Sequence, residues 1–349
     1  MRVVVANVGT PFVRGGAEVL AEELVKAMTA EGHLADLVSI PFNPADPERI
    51  PDQMLACRLL DLRMIHGLPV DRLIALKFPA YLIPHPRKVV WLVHQHRDAY
   101  DLWDRAMGDL RSAPRGRLVR DIIRRGDQQI CEEAPSIFTI SGNVTHRLRH
   151  YSNIESRPLY HPPAGGAAFS CAEQVEDYFF FPSRFSAIKR QELVLRALTL
   201  TKAPVRVKFS GAADSPAYGE HLLRLGRELR LDRRVEWLGF LSEAEKIEAY
   251  ARAGAVIFPP LDEDYGYVTL EAMLASKAVL TCHDSGGPLE FVLPGKTGLV
   301  TPPKPEQLAA AMDLLWEDRA RAQNYGREGR RHYEKMGLSW PRVVKTLLA

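Results

Sequence analysis

What the chain has little of narrows its class before any motif is read. It carries 4 cysteines in 349 residues (Cys57, Cys131, Cys171 and Cys282), far apart and without paired spacing. That pattern fits neither a disulfide framework nor a zinc knuckle, and a reducing compartment is the simpler expectation. No apolar run approaches the ~20 residues that span a bilayer. The opening Met1–Ala6 is too short for a signal-peptide core and reads instead as a first strand of a cytoplasmic protein. Charge of neither sign dominates: 46 basic residues stand against 43 acidic ones, a net +3, so there is no global nucleic-acid signature. A short-period repeat is also missing. With 46% hydrophobic and 26% charged residues, a disordered or fibrous chain is excluded as well.

What is present is an alternation. At ~150 residues per domain the length suggests two domains, or one large α/β domain. Strand Val3–Ala6 leads through a glycine loop into a helix over 17–31, where Leu20, Leu24, Ala27 and Met28 repeat at helical spacing. Strands follow at 35–40, 88–93 and 137–140. A proline-glycine stretch, residues 160–166, marks the domain boundary. A second alternation then runs from the strand at 178–181 to the strand at 278–281. The pattern predicts an α/β fold with two Rossmann-like parallel-sheet domains, 1–162 and 163–330, and a helical segment 331–349. Ligands of such sheets bind at the carboxyl ends of the strands, so a cleft between the domains is the expected site.

The most informative segment is Phe258-Pro259-Pro260-Leu261-Asp262-Glu263-Asp264-Tyr265-Gly266-Tyr267-Val268-Thr269-Leu270-Glu271-Ala272-Met273. A strand ends at the prolines, and an acidic loop passes through Gly266 into a helix. The amides at a helix start lack intrahelical acceptors and, with the macrodipole, favour an anion such as a diphosphate. Glu263 and Glu271 flank that turn, and carboxylates accept hydrogen bonds from sugar hydroxyls. An acidic helix start that only complements the dipole is the plain alternative. Upstream, Arg184 and Lys189 sit in the turn Phe181-Pro182-Ser183-Arg184-Phe185-Ser186-Ala187-Ile188-Lys189, where two fixed cations would stabilise a departing diphosphate.

These two segments resemble retaining glycosyltransferases of the GT-B fold, in particular glycosyltransferase family 4. Glu263 and Glu271 take the two acidic positions of its Glu-x7-Glu motif, with Gly266, Leu270, Ala272 and Met273 matching the flanks. Residues 285–290 and 295–300 resemble the segments that follow. Asp264 replaces a common glycine, and Ser276 and Ala278 replace a glycine and a proline. The resemblance implies that Arg184 and Lys189 hold the donor diphosphate, that Glu263 contacts the sugar, and that Glu271 contacts the ribose. Tyr265, Gly266, Tyr267 and Val268 would supply the backbone around the donor. Gly15 and Gly16 match the family's first-loop glycines, and His94 its histidine near the transferred sugar. Arg97, Tyr100 and Trp103 would border the acceptor. The expected catalytic set is therefore Glu263, His94, Arg184 and Lys189.

The resemblance further implies a hexosyltransferase that takes a nucleoside-diphosphate sugar and a hydroxyl acceptor in polysaccharide or glycoconjugate synthesis. No cofactor or metal is expected. Asp262-Glu263-Asp264 looks like a metal-binding Asp-x-Asp when read alone, but it overlaps the Glu-x7-Glu motif, and a zinc pair at His94 and His96 has no third ligand nearby. The last segment, from Ser339-Trp340, is expected to cross back to the first domain. Between residues 105 and 125 seven arginines interleave with Leu118, Val119, Ile122 and Ile123, so Arg111–Arg125 is either a solvated face whose apolar side packs in the domain core or a candidate contact for an anionic membrane surface. The rival readings are a nucleotide-sugar epimerase of the same fold and a non-catalytic binder of sugar nucleotides.

Overall fold

A computed structural model describes residues 1–12, 14–105 and 108–349. The chain forms two units, the first from residues 1–164 and 338–349, the second from residues 165–337. The boundary thus falls two residues beyond the expected one. Residues 331–336 complete a helix of the second unit, and Gly337 caps it.

In the first unit β1 (Arg2–Gly9), α1 (Gly16–Ala30) and β2 (Leu34–Pro41) follow the expected order. Then come α2 (Ile50–Leu59) and the small antiparallel pair β3 (Met64–Ile65) and β4 (Leu68–Pro69). They precede β5 (Arg72–Ala75), β6 (Lys88–Leu92) and α3 (Gly116–Glu133). β7 (Ser136–Thr139), α4 (Gly142–Ser152) and β8 (Arg157–Pro158) complete the alternation. The sheet order is β2-β1-β5-β6-β7-β8, and all pairs are parallel. The strand order reverses beside β1, which makes the ends of β1 and β5 a switch point for a ligand.

α3 shows how the arginine-rich stretch is used. Val119, Ile123 and Ile130 are buried at helical spacing, and Asp127 lies on the same stripe. Arg115, Arg117, Leu118, Arg124 and Arg125 are exposed. Arg120 turns inward instead: it donates to the Ala99 carbonyl (2.9 Å), and its guanidinium lies 4.3 Å from the Trp103 ring centroid. Residues 106–107 of this stretch lie outside the described residues.

The second unit contains β9 (Phe179–Pro182), α5 (Gln191–Leu198), β10 (Val207–Ser210) and α6 (Pro216–Glu228). It continues with β11 (Val235–Gly239), α7 (Glu243–Arg252), β12 (Ala255–Ile257) and α8 (Tyr267–Leu274). β13 (Val279–Cys282), β14 (Gly298–Thr301), α9 (Pro305–Glu317) and α10 (Arg319–Met336) follow. The parallel sheet runs β11-β10-β9-β12-β13-β14, and β9 starts both halves. A strand there is covered on both faces and must be apolar throughout. Phe179 and Phe181 enter the core with Val194, Leu198, Phe209 and Met312 on one face. Phe180 enters the other with Tyr250, Val256 and Ala272. Each fully buried ring contributes ~2–3 kcal/mol relative to exposure. α7 is fixed in register by a capping box, Ser242 with Glu245.

The last helix, α11 (Trp340–Leu348), belongs to the first unit. Trp340 stacks on the buried His161 (5.6 Å between ring centroids) and meets Trp91 edge-on at 6.4 Å. Burial pushes His161 down to about 3, so the stack is between neutral rings. Among the described residues no helix is long and apolar enough to cross a membrane.

Candidate active site

The second sheet reverses its strand order between β9 and β12, and the loops leaving those two strands are the two segments singled out in the sequence. The β9 loop carries Arg184, Lys189 and Arg190; the β12 loop carries Asp262 and Glu263 and enters α8 at Gly266. Backbone bonds lace them together. Leu261 N–H donates to the Ile188 carbonyl (2.7 Å), Asp262 to Asp284 (2.9 Å) and Glu263 to Ser285 (2.9 Å), while Gly287 donates back to Glu263 (2.8 Å). The loop after β13 is therefore a third wall. Gly266 has φ +90, and a Cβ there would lie 2.8 Å from the Pro288 ring, so only glycine fits without strain.

Charges converge on this wall. Lys189 Nζ forms a short ion pair with the Glu263 carboxylate, both side chains largely buried. Arg190 grips Asp284 through two bonds, 2.7 and 2.6 Å. Burial alone would raise the Asp284 carboxyl, but its bonds to Arg190 outweigh this and hold it below the usual range. Arg184 is more exposed and pairs with Asp214 at 2.8 Å. Glu271, only 9% exposed, accepts from Tyr250 Oη (2.7 Å) and Lys246 Nζ (3.0 Å). Burial works against the Lys246 ammonium, yet Glu271 and Glu243 hold it above its usual value. Tyr265 is buried, its ring edge-on to Tyr267 (5.2 Å) and Phe291 (5.4 Å), and Val268 is half-buried. Of the expected residues, Lys189 and Glu263 thus meet directly, Tyr265, Gly266, Tyr267 and Val268 follow along the same chain into α8, and Glu271 lies one turn into that helix, held from α7.

Sequence reasoning missed Arg190, Asp284, Lys246 and Tyr250. Lys246 and Tyr250 are four apart on α7 and so share a face, a visible signal, but nothing in the sequence shows that Glu271 lies opposite. Arg190 and Asp284 are 94 residues apart and carry no such signal.

The first unit offers a different set. Gly15 precedes α1 at the β1 end, and its amide, expected to face a ligand, donates to the Glu18 carboxylate (2.8 Å), which also pairs with Lys77 (3.1 Å). Gly16 is the first residue of α1. His94 lies just past β6 with Nδ1 2.7 Å from the Gln95 carbonyl oxygen, which assigns the proton of a neutral ring to Nδ1. His96 packs against Phe42 and Phe78, and burial pushes it down to about 4. Of the three acceptor candidates, Arg97 is bonded twice to Asp101 (2.9 and 2.6 Å). Tyr100 and Trp103 are buried: Tyr100 Oη donates to Asp127 (2.7 Å), and Trp103 lies under Arg120. Both side chains are parts of the unit's own packing. Asp127, wholly buried, also accepts from Tyr81 Oη (2.7 Å) and Gln95 Nε2 (2.8 Å). Burial raises its carboxyl to about 6 against these three bonds. Among the described residues no three His, Cys, Asp or Glu side chains gather as a metal site would require.

The fold coincides with sucrose-phosphate synthase from Thermosynechococcus elongatus at a TM-score of 0.77, with 17% identity over 99% of this chain and 97% of that one. It also coincides with Anabaena HepE in complex with UDP-glucose at 0.71, again with 17% identity, over 99% and 98% of the two chains. The class is therefore the GT-B fold, built from two parallel-sheet α/β units. Residues 172–332, which lie within the second unit, match the model of the family Glycosyl transferases group 1. The D-inositol 3-phosphate glycosyltransferase of Corynebacterium diphtheriae is 30% identical over 223 residues, which is 57% of this chain and 52% of that protein. The chain spans about half the length of the curated relatives it matches.

Proposed function

We propose that the chain is a retaining, metal-independent glycosyltransferase of family 4 that moves a hexose from a nucleoside-diphosphate sugar to a hydroxyl acceptor. The observation that supports it most is the pairing of Lys189 with Glu263 at the switch point of the second sheet, with Glu271 held one turn into α8. A diphosphate arriving there draws Lys189 away from Glu263. The cation then neutralises the phosphates, and the released carboxylate accepts from sugar hydroxyls. Arg184 adds a second charge, and the amides after Gly266 face the same anion. Glu271, paired with Lys246 and oriented by Tyr250, accepts from the ribose hydroxyls.

As the glycosidic bond breaks, negative charge grows on the leaving phosphate, where Lys189 and Arg184 stabilise it most. That phosphate oxygen takes the acceptor's proton on the face it leaves, so the new bond keeps the anomeric configuration and no protein base is needed. In the first unit the proposal gives His94 and the loop of Gly15 and Gly16 a part in the same reaction. UDP-glucose in the complex of Anabaena HepE supports a donor of this class. A lipid-linked acceptor at an anionic membrane surface, met by the exposed arginines of α3, belongs to the same proposal.

The test is incubation with UDP-, GDP- and ADP-sugars and a panel of hydroxyl acceptors, followed by NMR of the product's anomeric proton. Acceptor-dependent release of nucleoside diphosphate with retained configuration is expected. An epimerised donor, or binding without release, would replace this reading by an epimerase or a non-catalytic binder.

A further inference from the structure

Lys277 is placed where a charged side chain is costly. It lies in the turn between α8 and β13 and is only 3% exposed. Its backbone amide donates to Ala272. Its side-chain nitrogen has one hydrogen-bond partner among the described residues, the Cys171 sulfur at 3.2 Å, and no carboxylate pairs with it. An ammonium carries three N–H donors, and burying it without an anion is strongly unfavourable. Burial accordingly holds this amine below its ordinary value, against the opposing pull of the Cys171 sulfur. Cys171 is exposed, so a solute reaches its sulfur from solvent while the amine waits behind it. The two other cysteines whose surroundings are described offer a contrast. Cys57 and Cys282 are buried, with thiols pushed up to about 12 and about 11, and no amine bonds either sulfur.

We propose that Cys171 and Lys277 form an oxidative modification site, in which a hydroperoxide converts the thiol to a sulfenic acid and the lysine amine captures it as a sulfur–nitrogen cross-link. In the first step the thiol sulfur is oxidised and hydrogen peroxide is reduced, giving the S–OH group and one water. In the second the nitrogen lone pair attacks sulfur. The S–N bond forms, the S–O bond breaks, and the departing hydroxide takes a proton from nitrogen to leave as a second water. The linked pair is lighter than the two free side chains by two hydrogens. Condensation of sulfenic acids with a neighbouring nitrogen is established chemistry, and attack of an added thiol on the sulfur reverses it. The link would join the segment entering the second unit to the turn that follows α8, the helix that carries Glu271. It is independent of the donor assignment.

The test treats the whole reduced protein with hydrogen peroxide, blocks remaining thiols and maps tryptic peptides by mass spectrometry. The expected product is a linked peptide pair through Cys171 and Lys277, two hydrogens light, with trypsin cleavage after Lys277 lost and both signals reversed by dithiothreitol. In Lys277→Met the link is absent, and dimedone labelling of the Cys171 sulfenic acid rises several-fold. Circular dichroism on that variant confirms that the fold is kept. If it is not, the wild-type map decides alone, since it needs no substitution. Cys171 that stays reduced under peroxide, or that goes to sulfenic or sulfinic acid with Lys277 still cleaved by trypsin, would overturn the proposal.

Discussion

Arg190 combines a backbone cost with a side-chain tether, and the two can be separated by substitution. Its φ of +61 is left-handed, where a side chain costs ~1 kcal/mol relative to glycine. Its guanidinium holds Asp284 through two bonds, and the side chains are 19% and 29% exposed. Solvent screening at that exposure places the pair near ~1.5 kcal/mol, between surface and buried pairs. Arg190→Ala loses the tether and keeps the strain, so it should be ~1.5 kcal/mol less stable than wild type. Arg190→Gly loses the tether and the strain together, and should be ~1 kcal/mol more stable than Arg190→Ala. Both remove the side-chain tether from the loop of Asp284 and Ser285, and that loop fixes the backbone of Asp262 and Glu263. Turnover should therefore fall in both, by about 10- to 100-fold as expected for a displaced site. Urea unfolding followed by tryptophan fluorescence reads the stabilities, and donor-saturated turnover reads the site. Equal stability of the two variants would refute the strain argument. Wild-type turnover in both would refute the tether.

Other expectations follow from single features. The Asp127 carboxyl sits at about 6 in the fold against an ordinary 3.8, so the folded state binds its proton more tightly. Its favourable contribution is present below the lower value and lost as pH rises through the higher one. The stability of wild type relative to Asp127→Asn should drop by up to ~3 kcal/mol between pH 4 and pH 7, and a pH-independent difference would contradict the buried, hydrogen-bonded carboxylate. Activity should survive EDTA, because Lys189, Arg184 and a helix start supply the positive field. Loss of activity restored by Mn²⁺ or Mg²⁺ would return Asp262 and Asp264 as ligands. Reversing Arg117 and Arg125, both exposed on α3, should abolish binding to anionic vesicles, at ~1 kcal/mol per arginine, while nucleotide binding is kept. Vesicle binding unchanged by the reversal would leave α3 as ordinary surface.

The sequence made some parts of this molecule plain and hid others for physical reasons. Phe179-Phe180-Phe181 reads as a central parallel strand because both faces need cover, and it is one. The Leu20, Leu24, Ala27 and Met28 stripe marks the buried face of α1. β5, β8 and β14 were not read from the sequence: β8, two residues long, is too short for a period to show, and β14 has only Leu299 and Val300 as an apolar pair. At the site, Glu263, Glu271 and Lys189 were legible through a motif of fixed spacing. The groups that hold them, Tyr250, Lys246, Arg190 and Asp284, depend on which elements fold against each other. Tyr100 illustrates the reverse error. Placed beside a strand-end histidine, it looked available to a ligand, yet a buried Asp127 from the next helix claims its hydroxyl.

The central claim is that Lys189 in the second unit receives the diphosphate of the donor. Calorimetric titration of UDP, GDP and ADP into wild type and Lys189→Ala tests it directly. One nucleoside diphosphate should bind wild type, and the substitution should weaken it by about 10- to 100-fold, the 1.5–3 kcal/mol of a charged hydrogen bond. Equal affinity in both proteins, or no binding of any of the three to wild type, would contradict it.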